Sequence, residues 1–207
     1  MRRAYRADAA LYDTRTARYQ ADRQGLVDVL PVRPGQTVVD VGCGTGLCFE
    51  RLQAKVGRQG RVIGLDESPD MLALAAQRVA DAGWRNVTLL HASAQHASLP
   101  VVADAALFCA VHDVLQSPPA LANIVAQLGP RGWVAAAGGR FGPRWMVGPN
   151  LLVKAAHGPY VRSFDGFEAP WQHLAHLIPD LRVTTVALGV GYRAVGRRGP
   201  ACPGGGH

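Results

Sequence analysis

Five residues of this 207-residue chain have types and spacing that suggest chemistry: Asp40, Gly42, Gly44, Gly46 and Asp66. The first four stand in "VVDVGCGTGLCFE", where an apolar run gives way to alternate glycines and then turns apolar again. A glycine turn between a strand and a helix lets the backbone approach a ligand closely, with helix N–H groups facing it. The dinucleotide version of such a loop reads GxGxxG. Here the spacing is GxGxG, and Leu47 occupies the place of that pattern's third glycine. Asp66 ends the next strand-like run, "RVIGLD". In a parallel sheet it stands beside the first loop, where a carboxylate accepts both hydroxyls of a ribose. Leu65 and Met71 flank it and suit the two faces of an adenine ring.

A second group of residues suits an acceptor. "CAVHDVLQSP" follows an apolar strand and brings His112 and Asp113 to its carboxyl end, as reaction-site residues or as packing and capping residues. An N-terminal helical segment offers Tyr12 and Tyr19. The segment "RWMVGPNLLVKAAHGPYVRSF" offers Trp145, His157 and Tyr160 among apolar residues, with Arg144, Lys154 and Arg162 around them. It reads as a pocket lid or as a core helix over the sheet.

The elements that must position these residues follow from periodicity. Residues 1–30 read as helix, with Leu11, Tyr12, Tyr19, Leu26, Val27 and Leu30 as an apolar stripe. "TVVDV", "RVIGLD", "NVTLL", "ADAALFCAV" and "GWVAAAG" read as strands. "LCFERLQAKVG", "ESPDMLALAAQRVADAG" and "PPALANIVAQLG" read as the helices between them. The second of these carries Ser68 as N-cap, Pro69 in the first turn and Gly83 as stop. Strand–helix alternation with short connections predicts a parallel sheet covered on both faces. Beyond Gly138 a loop, a short helix, "PWQHLAHLI" as helix and a terminal hairpin around Gly189 and Gly191 complete the reading.

"VVDVGCGTG" followed by "VIGLDESPDML", with "LGPRGWVAAAG" near the fifth strand, resembles the class I S-adenosylmethionine-dependent methyltransferases over roughly Val32 to Gly138. The resemblance implies an α/β fold: a Rossmann-like, seven-stranded, mostly parallel sheet with helices on both faces and a C-terminal β-hairpin. It implies S-adenosylmethionine as cofactor, a phosphate-free adenosyl group for which a short loop and carboxylates suffice. Gly42, Gly44 and Gly46 would pass under its methionine part, Asp40 would orient the ammonium and Asp66 would hold the ribose. Ser93 and Ala94 match the place where the family often has Asp-Ala at the adenine; serine replaces that aspartate here. Cys43, Glu67, Met71 and Cys109 complete the expected cofactor set. His112, Asp113 and Tyr19 are the expected catalytic residues, and Tyr12, Trp145, His157 and Tyr160 the expected acceptor contacts. One domain over residues 1–198 is expected, with a helical lid at 1–30, an acceptor-side insert at 139–175 and a flexible tail at 199–207.

Composition bounds the rest. A hydrophobic fraction of 48% and a charged fraction of 18% are globular values. No apolar run is long enough to span a bilayer, and the charged N-terminus has no apolar core of a secretory signal. The four cysteines, Cys43, Cys48, Cys109 and Cys202, have neither CxxC spacing nor histidines to complete a zinc pattern, so no metal is expected. A cytoplasmic protein with reduced thiols is expected. The net charge of +7 favours anionic partners and leaves peripheral contact with an anionic membrane open. The expected partner is a small, hydrophobic or lipid-like acceptor: a phospholipid head group, a quinone or a natural product. A tRNA or rRNA methyltransferase and a non-catalytic cofactor-binding protein are the alternatives. No nucleic acid is expected, since "HDVLQSPP" is not the Asn/Asp-Pro-Pro-Tyr/Phe box that presents an exocyclic amine.

Overall fold

A computed structural model describes residues 12–199. Seven strands form one sheet in the order β3-β2-β1-β4-β5-β7-β6. They are β1 (Thr37–Val41), β2 (Arg61–Asp66), β3 (Val87–His91), β4 (Ala103–Cys109), β5 (Leu128–Gly139), β6 (Arg182–Val186) and β7 (Gly191–Arg197). β7 runs antiparallel to both β5 and β6; all other pairings are parallel. The sheet and its C-terminal hairpin agree with the sequence reading.

Side-chain alternation along β1 shows how the two faces are built. Val39 and Val41 join the core formed with α5 (Pro118–Ala126) and α7 (Gln172–Leu177). Val38 faces the other layer, made by α1 (Gln20–Val29), α2 (Phe49–Val56) and α3 (Pro69–Asp81). A period of two puts Asp40 on this second, apolar face. Helix starts are marked as expected: Ser68 accepts from Met71 N–H at 3.3 Å ahead of Pro69, and Ser117 accepts from Ala120 N–H at 3.4 Å ahead of Pro118.

Several boundaries differ from the sequence reading. The N-terminal helix is not continuous: residues 12–16 are helical, Ala17–Tyr19 tighten to a 3-10 turn, and α1 follows. β4 stops at Cys109, because Ala110 takes φ +56° and turns the chain into the four-residue α4 (His112–Leu115). The insert helix α6 (Val147–His157) starts earlier than its leucines suggest, with Gly148 and Pro149 inside its first turn. β6 ends at Val186, and the turn to β7 passes through Ala187 and Leu188, both with positive φ. The expectations for Met1–Leu11 and for residues 200–207, Cys202 included, lie outside the described residues.

Candidate functional site

β1 is hydrogen-bonded to both β2 and β4, and the chain leaves the carboxyl ends of β1 and β4 for helices on opposite faces of the sheet, which opens a crevice between them. The glycine loop lines that crevice. Gly42 and Cys43 N–H groups donate to Leu65 O at 2.7 and 3.0 Å, docking the loop onto β2. All three loop glycines have positive φ, but they face different surroundings. A Cβ on Gly42 would meet Val111 Cγ1 at 2.5 Å, and one on Gly46 would meet the Phe49 ring at 2.6 Å. A Cβ on Gly44 would meet nothing within 4 Å. The first and last glycines are therefore set by packing, and the middle one opens onto free space.

Asp66 ties the loop to the next helix. Its Oδ2 accepts from Gly44 N–H and its Oδ1 from Ser68 N–H, each at 2.8 Å. Burial raises its pKa, and these two backbone donors oppose the rise. Each oxygen keeps a further lone pair for a ribose hydroxyl. Glu67 and Met71 follow Asp66 in the chain, and the register Asp66↔His91 brings the residues after β3 to its side. Ser93 Oγ is bonded to His96 Nδ1 at 3.1 Å, and Ala94 O accepts from Asn123 Nδ2 at 2.9 Å, so both ends of that short turn are held.

Asp40 is 1% exposed, and its Oδ2 has no partner among the described residues. Burial, with the nearby Asp66 charge second, pushes its pKa up to about 7. It lines a small cavity with Gly42, Cys43, Leu47, Cys48, Cys109, Tyr12 and Arg23. Arg23 is the residue that sequence reasoning passed over. It is buried, donates from Nη2 to Thr16 O at 2.9 Å and to Gln20 Oε1 at 3.0 Å, and has no carboxylate partner among the described residues. The signal was available: Arg23, Leu26, Val27 and Leu30 share one helical stripe, so an arginine stands on the buried face. A buried carboxylate and a buried guanidinium on one cavity fit the ammonium and carboxylate of an amino-acid group. The thiols around it are unreactive: burial raises Cys43, and a hydrogen bond to Cys109 followed by burial raises Cys48.

A second cavity of about 360 Å³ adjoins the first, sharing Tyr12, Arg23 and Cys109 with it. Its walls are mostly apolar: Ala137, Val153, Phe167, Val186 and Tyr192 among others. His112, Tyr19, His157 and Tyr160 also line it. Tyr12 and Tyr160 meet edge to face with centroids 5.7 Å apart, and Tyr19 and His157 lie 6.1 Å apart. Burial pushes the Tyr12 phenol up to about 12. His112 Nε2–H donates to Asp165 O at 2.9 Å, which leaves the lone pair on Nδ1, a buried atom with no partner among the described residues. Burial lowers the pKa of His112, and burial followed by the Arg18 charge lowers that of His157. Both imidazoles are neutral at pH 7.

Two of the expected site residues lie elsewhere. Asp113 faces the insert: Arg162 N–H donates to its Oδ1 at 3.1 Å, and Arg162 Nε lies 3.6 Å from its Oδ2. Trp145 is not in the cavity wall and is 80% exposed. Two polar clasps cover the crevice. Asp13 accepts from Arg78 Nη2 and from Thr45 Oγ1, both at 2.5 Å, and Arg78 Nε donates to Thr45 O at 2.8 Å, fastening the N-terminal segment to the glycine loop. Arg162 Nη2 donates to Glu67 Oε1 at 3.0 Å, fastening the insert beside Asp66. Among the described residues no group of three or more His, Cys, Asp or Glu side chains could hold a metal, and no helix is long and apolar enough to cross a membrane.

Comparison with known proteins agrees with this geometry. Residues 38–132 match the family model described as a methyltransferase domain. A demethylmenaquinone methyltransferase of Bacillus cereus is 39% identical over 77 residues, which cover 37% of this chain and 32% of that protein. The chain thus matches about a third of the length of that curated relative. A SAM-dependent methyltransferase from Aquifex aeolicus has the same fold, with TM-score 0.60 and 19% identity over 88% of this chain and 93% of that one. So does a Clostridium thermocellum chain assigned as an rRNA methylase, with TM-score 0.65 and 18% identity over 87% and 96%. With the glycine loop, Asp66 and the switch-point crevice already in place, these matches identify residues 38–132 as similar to a methyltransferase domain, on a sheet that has the fold of S-adenosylmethionine-dependent methyltransferases.

Proposed function

We propose that the protein transfers a methyl group from S-adenosylmethionine to a small hydrophobic acceptor bearing an acidic hydroxyl or an activated carbon, as a quinol or phenol does. The observation that carries this reading is the mostly apolar cavity, which joins the glycine-loop cavity at Tyr12, Arg23 and Cys109. The named activity of the Bacillus relative, on a demethylmenaquinone, points the same way.

When bound, S-adenosylmethionine supplies a methyl group made electrophilic by its sulfonium. The chain's own residues do the rest. Asp40 and Arg23 bind the two charges of the amino-acid end, Asp66 the ribose, and the Ser93–Ala94 turn with Met71 the adenine. Tyr12 stands where the two cavities meet and separates donor from solvent. The apolar walls exclude water, which removes the competing acceptor and strips the incoming oxygen or carbon of its hydration. The neutral imidazoles of His112 and His157 are the groups able to take a proton from the acceptor. Asp165 holds His112 in the tautomer with its proton on Nε2. Residues 139–175 act as the acceptor-side insert of this reading.

Labelled-methyl turnover against a quinol and phenol set, a phospholipid set, tRNA and rRNA tests it. Label is expected in the quinol or phenol fraction and not in RNA. Transfer to RNA alone, or to none of the four with cofactor binding intact, would overturn the proposal.

A further inference from the structure

The apolar surface of the large cavity does not stop at its mouth. Leu152 and Pro149 of α6 line the cavity and also face outward, Leu152 at 73% exposure. Beside them Trp145, Val147 and Leu151 are 80%, 71% and 67% exposed. Val147 and Leu151 stand one turn apart in one outward row, and Leu152 flanks that row on the side of the cavity. Single exposed apolar residues are ordinary, whereas a contiguous row rimming a pocket marks an interaction surface.

The turn between β6 and β7 borders the same cavity from the other side, through Val186, Ala187 and Val190. At its tip Leu188 is 95% exposed and has φ +54°. A branched side chain in the left-handed region costs on the order of 1 kcal/mol or more. Folding gains nothing from a leucine there, since its side chain touches almost no protein.

The charge around this surface selects its partner. Between Gly139 and Asp165 the chain has no acidic residue. Arg144 and Lys154 are exposed there and make no ion pair among the described residues. Tryptophan and leucines flanked by unpaired cations are the composition of a surface that lies in the boundary of an anionic bilayer. A protein partner would bury Arg144 and Lys154 against acids of its own, but nothing here sets the shape of such a partner. A bilayer needs only the row and the charge.

We propose that the α6 row and Leu188 dock the protein on an anionic lipid surface, with the mouth of the cavity against the bilayer. An apolar acceptor then passes between lipid and cavity without crossing water. The purpose of this contact rests on the apolar-acceptor reading; its existence does not.

Co-sedimentation of the full chain with phosphatidylglycerol–phosphatidylcholine vesicles, at low and high salt, tests the proposal. Binding is expected at low salt and weaker at high salt. A variant with Trp145→Gln, Leu151→Gln and Leu188→Gln changes no residue of the cavity wall. It is expected to lose vesicle affinity by about tenfold or more, with calorimetric S-adenosylmethionine binding and melting temperature retained as the check on its fold. Absence of vesicle binding by the unaltered protein, or equal binding by the variant, would overturn the proposal. So would a dimer in light scattering that the same substitutions dissolve, with no vesicle binding, since a second copy would then cover the row. Methylation of a water-soluble phenol or quinol without vesicles is scored separately. Vesicle binding without any apolar acceptor turning over would remove the acceptor reading and leave the docking surface standing, and the converse would do the reverse.

Discussion

Replacing Asp40 by asparagine should change the pH dependence of both stability and cofactor affinity. Burial, then the Asp66 charge, raises the Asp40 pKa from 3.8 to about 7 in the free protein. A folded-state pKa above the unfolded one means stability that is full below pH 3.8 and is lost as pH rises through the folded value of about 7. Near pH 5 the unfolded carboxyl is already ionised while the folded one is not. Each pH unit from there to about 7 therefore removes ~1.4 kcal/mol, or about 3 kcal/mol in all. Denaturant unfolding of the ligand-free protein at pH 5 and pH 8 should show this loss relative to Asp40→Asn, in which it is absent; titrating groups not coupled to Asp40 cancel in the comparison. The same ionisation governs the cofactor. The ammonium of the amino-acid end needs the carboxylate, so S-adenosylmethionine should bind on the order of tenfold tighter at pH 7 than at pH 5.5. Asp40→Asn should bind it roughly 10- to 100-fold more weakly than the unaltered protein at pH 7, with little pH dependence. Calorimetry measures both. Parallel stability profiles for the two proteins, or an affinity independent of pH in the unaltered one, would refute the assignment of the buried Asp40 carboxylate to the ammonium.

Gly44→Ala places a methyl group in open space over the loop at φ +55°, so it should fold with a loss of about 1–2 kcal/mol and, if the cofactor lies there as proposed, bind S-adenosylmethionine at least about tenfold more weakly; an unchanged affinity by calorimetry would take the cofactor off that loop. The pKa values of His112 and His157 are lowered by burial from 6.5, so stability from the neutral rings is full above that pH and declines as pH falls through the folded values. On the same ground kcat/KM for a quinol or phenol should fall on the acid side below about pH 6.5, and a His112→Gln enzyme that kept both rate and acid limb would assign the proton to another group. Asp13→Ala cuts the clasp to Thr45 and Arg78, whose charged partners are 34% and 39% exposed. It should lower stability by no more than about 1 kcal/mol while raising the dissociation rate of S-adenosylmethionine in stopped-flow, and equal rates would show that the clasp does not gate the crevice.

The cofactor half could be read from the sequence because its signals are local. A glycine loop after a β-branched strand, an acid at the end of the next strand, and Ser-Pro helix starts each span a few residues. Asp40 is buried because β1 is covered on both faces, as expected of a strand inside a parallel sheet. Arg23 was equally legible, on a stripe with Leu26, Val27 and Leu30, but arginine is read by habit as a solvated residue. The acceptor half depends on contacts between distant segments. Asp113 is held by Arg162 and His112 by Asp165, pairings no spacing reveals. Trp145 looks like a pocket residue by type, yet only tertiary structure shows that the turn ahead of α6 leaves it exposed. The break at Ala17–Tyr19 and the positive φ at Ala110 and Leu188 fall on residues that carry no glycine signal.

The way the insert is fastened has a consequence for the history of such a chain. Its inner anchor is aromatic: Phe167 is buried and packs on Phe141, Phe164 and His112 with centroids 5.0, 5.0 and 4.6 Å away. Outside that anchor, the Arg162 ion pairs are so exposed that they add little to stability. Away from the cavity-wall residues Val153, His157 and Tyr160, the outer insert, residues 142–163, can therefore be rewritten by mutation with little penalty to the fold. Selection for a new acceptor would act first on that stretch, which makes this architecture easy to diversify.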